Sequence, residues 1–73
     1  MTANEGLRIF KNKYPDKKLR GYWDHGNEIV VCIESKMAGI LREPVLFIVK
    51  PDGSIIPTDP IKGRISIETM VAL

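Results

Sequence analysis

Scarcity is the first thing this sequence offers. Its 73 residues hold one cysteine, one histidine and one tryptophan. A lone Cys32 excludes an internal disulfide framework and points to a reducing compartment, the cytoplasm. One histidine with one cysteine cannot assemble a Cys/His zinc site, so no metal is expected. No apolar run approaches the roughly 18 residues that a membrane span requires, so no membrane partner is expected. The opening MTANEGLRIF has no basic segment followed by an apolar stretch and does not read as a signal peptide. The glycines form neither G-x-G-x-x-G nor a P-loop, and G-x-S-x-G and H-E-x-x-H are absent. Nothing implies a cofactor, and the expectation is a protein that is not an enzyme.

What is present is the composition of a globular chain: 44% hydrophobic and 27% charged, with a formal net charge of +2. Residues 1–73 make one domain. A chain this short buries only about 60% of the surface it exposes when unfolded. Its apolar residues are therefore needed for the core, and little is left over for a deep pocket.

The hydrophobic pattern predicts one helix and then strands. Thr2-Ala3-Asn4-Glu5 fits a capping box, with Asn4 competing as the cap. Leu7, Phe10 and Tyr14 fall on one helical face, Ile9 lies off that stripe, and Pro15 stops the helix, giving a helix over 3–14. Gly6 weakens it by about 1 kcal/mol relative to alanine. Between 18 and 56 the chain reads as strands. In Leu19 to Asp24, Leu19 and Trp23 should point one way and Arg20, Tyr22 and Asp24 the other, with Gly21 under or beside the helix. Asp24-His25-Gly26-Asn27 supplies a hairpin turn. In Glu28 to Glu34 both faces are apolar, as in a central strand: Ile29, Val31 and Ile33 against Val30 and Cys32. Residues 35–44 have no clean period, and Ile40 and Leu41 are expected to tuck under the sheet. Val45 to Lys50 is the third strand, and Pro51-Asp52-Gly53 turns into Ser54 to Ile56, the fourth. Pro57 and Pro60 keep that strand short or at an edge. Arg64 to Glu68 alternates like a short strand, although Ile65, Glu68, Met70 and Val71 also fit a helical turn, and the end is expected to fray. The predicted class is α+β: one N-terminal helix packed on an antiparallel meander of about four strands.

Two surfaces stand out. Val30, Cys32, Leu46 and Ile48 share the sheet face away from the helix. If nothing covers it, that face is an apolar patch of the kind that binds a protein partner or a second copy of the chain, as a homodimer. An edge strand offers a second route to the same end. The other surface is electrostatic. Residues 8–20 carry Arg8, Lys11, Lys13, Lys17, Lys18 and Arg20 against Asp16 alone, a local charge of +5. With Tyr22 beside Arg20 as a stacking platform, this segment is the candidate site for an acidic partner or, as the alternative function, for weak nucleic-acid binding that falls steeply with salt. A solvated lysine-rich helix face explains the same charges. His25 reads as an exposed turn residue, Cys32 as an inert buried thiol, and Asp24 and Glu28 as turn and solubility residues rather than paired acids.

The order of elements carries a resemblance. A short helix with an Ala3 to Phe10 stripe ends in Tyr14-Pro15-Asp16. Two strands follow, and Pro44-Val45-Leu46-Phe47-Ile48-Val49 runs into Asp52-Gly53-Ser54-Ile55. Over residues 3–56 this resembles the small helix-plus-meander accessory proteins of prophages and integrative elements, including the PepSY-like and immunity-protein-35-like groups. The chain departs from the first in having no export signal and from the second in having Asp52, with no threonine, before the glycine. The resemblance implies a non-catalytic accessory protein without a cofactor.

Overall fold

A computed structural model describes residues 1–34 and 45–73, so the expected tuck of Ile40 and Leu41 lies outside the described residues. The elements are α1 (Ala3–Lys13), β1 (Leu19–Asp24), β2 (Ile29–Ile33), β3 (Leu46–Val49), β4 (Ile55–Thr58), a single 3-10 turn (Ile67–Thr69) and β5 (Val71–Ala72). The architecture is the expected α+β, with five antiparallel strands rather than four, in the order β4-β3-β2-β1-β5.

The cap of α1 is Thr2, whose hydroxyl oxygen accepts the Glu5 N–H at 3.2 Å and donates to the Glu5 carboxylate at 3.1 Å. The helix stops at Lys13. Tyr14, pushed out of the helical region by Pro15, donates its N–H to the Phe10 carbonyl at 2.9 Å. Phe10 is fully buried among Ile29, Val31, Ile33, Phe47 and Val49, with Leu7 and Tyr14 on its flanks. Ile9, which the stripe leaves out, also packs at the border of this core. Gly6 has a use that outweighs its cost to the helix. A Cβ there would lie 2.6 Å from Ile29 Cγ1, so its absence lets the helix settle onto β2.

Strand register assigns each side chain to a layer. Ile29, Val31, Phe47 and Val49 face the helix, while Trp23, Val30, Ile48 and Ile56 form a cross-strand row on the opposite face. As expected of a central strand, β2 is buried on both sides: Ile29, Val30 and Val31 are all at 0% exposure. In β1 the simple alternation fails. Pairing slips between Leu19 and Gly21, so Leu19 faces Ile33 and Gly21 faces Cys32, leaving Arg20 as the extra residue of a bulge. Leu19 and Tyr22 therefore join the helix-side core and Trp23 the other, correcting the expectation that Leu19 and Trp23 share a face. Gly21 is likewise not under the helix. A Cβ on it would meet Met70 Sδ at 2.6 Å and the Val71 carbonyl oxygen at 2.8 Å, on the C-terminal segment.

The hairpin between β3 and β4 turns where Pro51-Asp52-Gly53 predicts. Gly53, at φ +91, donates to the Lys50 carbonyl, and Lys50 donates back to the Ser54 carbonyl. The Ser54 side chain, together with the Ser54 N–H that Asp52 accepts at 2.8 Å, holds the Asp52 carboxyl below the ordinary carboxylate range. β4 is the edge strand that its prolines require. From the Lys50–Ser54 bond outward, the antiparallel alternation turns Pro57 away from β3. The residue with no N–H to donate thus sits on the open side of the edge.

The tail differs most from expectation. Residues 64–68 are not a strand and the end is not frayed. After β4 the chain turns on Asp59, whose carboxylate accepts the N–H groups of Ile61 and Lys62 at 2.9 and 2.8 Å. Arg64 takes a left-handed conformation at φ 50. The chain then crosses the sheet face opposite the helix and ends as β5 beside β1, where Leu73 donates its N–H to the Arg20 carbonyl at 3.0 Å.

Candidate functional site

The C-terminal return turns the face opposite the helix into a second core. Trp23, Val30 and Leu46 are its buried centre, with Cys32, Val45, Ile48, Ile65 and Met70 around them. The return is fastened by the Trp23 indole, which donates to the Ser66 carbonyl at 2.8 Å. This changes the standing of the four residues proposed as an apolar contact face. Val30 is at 0% exposure and Leu46 at 7%, so these two are core and not contact surface. Cys32 and Ile48 are half-buried. The expectation of an open face fails because it treated the tail as a frayed end, whereas residues 59–70 supply the covering layer.

The cover is incomplete. Between sheet and return lies a half-open cavity of about 230 Å³. Trp23 and Leu46 line it from the sheet, and Pro60, Ile65, Ile67 and Met70 line it from the return. The Cys32 thiol is also in the wall, and Arg20 contributes the one charged side chain among the described lining residues. Burial pushes the Cys32 thiol up, and the Arg20 guanidinium pulls it partly back. This pocket departs from the expectation that so small a chain keeps no deep recess. The bulge at Arg20 and the unpredicted return produce it, and neither has a period that a sequence window detects.

A second feature runs through the same segment. The large apolar side chains that remain exposed among the described residues are Ile56, Ile61, Ile67, Val71 and Leu73. All five fall between residues 56 and 73, and Ile61 and Ile67 are 88% and 82% exposed. The isoleucines of the tail, which look like strand residues in sequence, were the available signal.

The basic segment is exposed at Arg8, Lys11, Lys13, Lys18 and Arg20, with Lys17 half-buried. Lys18 pairs with Glu34 at 3.6 Å, and Lys13 lies 5.9 Å from the Tyr14 ring centre. The bulge separates the supposed stacking pair. Tyr22 packs on the helix-side core, while Arg20 lines the pocket on the opposite face. Asp24 is a turn residue as read, accepting the Gly26 N–H at 2.8 Å. His25 is half-buried rather than exposed; its Nδ1 is buried with no hydrogen-bond partner among the described residues, beside Arg64 in an open depression. Among the described residues no trio of histidine, cysteine or carboxylate side chains is placed to hold a metal ion, and no helix is long and apolar enough to cross a membrane. No protein-family model matches the chain, and neither a curated protein nor a solved structure matches it significantly.

Proposed function

We propose that this is a small non-enzymatic interaction protein whose C-terminal third is its contact surface, for a second copy of itself or for a protein partner. The supporting observation is that, among the described residues, the five exposed large apolar side chains all fall within residues 56–73, on the segment that covers the second core and at the sheet edges beside it. Apolar surface concentrated in one segment of a soluble fold marks an interface rather than scattered exposure. Strand addition is the weaker route. Pro57 interrupts the β4 edge, and β5 offers only two residues. An accessory role, on a mobile genetic element and in the cytoplasm, accords with the helix-plus-meander resemblance and the single half-buried thiol.

The experiment is sedimentation equilibrium over a concentration series. The wild type should rise above its monomer mass of 8.2 kDa as concentration increases. Ile61→Lys with Ile67→Lys, both at solvent-facing positions that the fold does not need, should return it to the monomer while leaving the circular dichroism spectrum unchanged. A wild type that stays monomeric to millimolar concentration, and whose solubility the two lysines do not alter, contradicts the reading.

A further inference from the structure

The pocket between sheet and return meets the exposed isoleucine surface at Ile67, and its remaining wall has the attributes of a small-molecule site. Its wall is aliphatic, aromatic and sulfur-bearing, and it is concave and partly enclosed, formed by the meeting of two structural layers. Among the described lining residues, one charged side chain breaks the apolar wall. The bulge places Arg20 out of the alternation of β1 and at the pocket, and no acidic side chain lines it among the described residues. Arg20 precedes Gly21, which pairs with Cys32 across β1 and β2, so the guanidinium-bearing residue and the thiol-bearing residue line the pocket from the same sheet wall. Apolar walls with a single guanidinium match a ligand that has an apolar tail and one planar anionic head, because guanidinium and carboxylate meet as two parallel hydrogen bonds. Volume bounds the tail. A cavity of about 150 Å³ accepts a benzene ring, so 230 Å³ corresponds to about nine carbons.

We propose that this pocket binds a medium-chain monocarboxylic acid, with its alkyl tail between Trp23, Leu46, Ile65 and Met70 and its carboxylate on Arg20. The inference goes beyond the interaction reading and does not depend on it.

Trp23 is both a wall of the pocket and the sole tryptophan, so its emission reports occupancy directly. Straight-chain carboxylates from butanoate to dodecanoate are titrated below their micelle concentrations into the protein at low micromolar concentration. The dissociation constant should fall about fourfold per added methylene, then level near octanoate to nonanoate as the cavity fills. Octan-1-ol and octylammonium should bind more weakly than octanoate. Arg20→Ala, at an exposed position, should weaken octanoate about three- to fivefold and leave octan-1-ol unchanged. Arg20→Glu should transfer the preference to octylammonium. The proposal is overturned by an affinity that keeps climbing through dodecanoate, by equal binding of octanoate, octanol and octylammonium, or by Trp23 emission that millimolar octanoate leaves unchanged. None of these outcomes bears on self-association, so the two readings fail separately.

Discussion

Phe10→Ala should remove about 3–5 kcal/mol of stability, the largest loss expected from a single truncation on the helix. The side chain is at 0% exposure at the centre of the helix-side core. Its ring lies 5.2 Å from that of Tyr14 and 5.4 Å from that of Phe47, and those two are 5.8 Å from each other. Truncation empties the middle of a three-ring cluster and forfeits two aromatic pairs as well as buried area. The helix has few other holds on the sheet, since Gly6 contributes approach rather than contact area and Leu7, Ile9 and Tyr14 are only partly buried. A domain of this length has a total stability on the order of 4–11 kcal/mol, so the loss consumes much of it. Urea unfolding followed by Trp23 emission measures it. A loss below about 1 kcal/mol would mean the helix does not dock as described.

Leu46→Asp should be at least as damaging, and its outcome discriminates between two pictures of the sheet. Leu46 faces away from the helix, toward Cys32 on one side and Thr58 on the other, and is 7% exposed. A carboxylate there must be desolvated or protonated, at a cost of several kcal/mol. The variant should lose its native circular dichroism. Were that face an open contact surface, the same substitution would leave a folded and more soluble protein. Ile56→Asp is the internal control. Ile56 points to the same side of the sheet but is 42% exposed, and its replacement should leave the fold intact.

Much of the scaffold is legible in the sequence, for local reasons. Thr2 and Pro15 bracket the helix because capping and proline sterics act within a turn. Leu7, Phe10 and Tyr14 mark the buried face because helical period and burial coincide. Ile29 to Ile33 reads as doubly buried because both alternate sets are apolar, and Pro57 identifies an edge because a central strand would need its N–H. The misreadings share another cause. Alternation in β1 assigns Leu19 and Trp23 to one face, but one bulged residue at Arg20 reverses the assignment upstream of it. Gly21 is the neighbouring trace of that irregularity, and its meaning is supplied by Met70 and Val71, some 50 residues away in sequence. β5 is two residues long and is held by β1, so no local pattern announces it. Once the tail is taken as frayed, Val30 and Leu46 look exposed and the pocket does not exist. The contact residues proposed on that face were thus a consequence of one missed long-range pairing. The basic segment, by contrast, is visible from charge alone, and only its pairing of Arg20 with Tyr22 depended on the failed alternation.

The central physical claim is that both faces of the sheet are covered: by the helix on one side, and on the other by the C-terminal return fastened where the Trp23 indole meets the Ser66 carbonyl. The most direct test is the solvent exchange of the Trp23 indole N–H, followed by NMR in the intact protein. With the side chain 6% exposed and its N–H bonded at 2.8 Å, exchange should be strongly protected, and the indole should show contacts to Ile65 and Met70. An indole proton that exchanges at the rate of a free tryptophan, with no contact to the C-terminal residues, would show the return to be undocked. The second core and its pocket would then be lost with it.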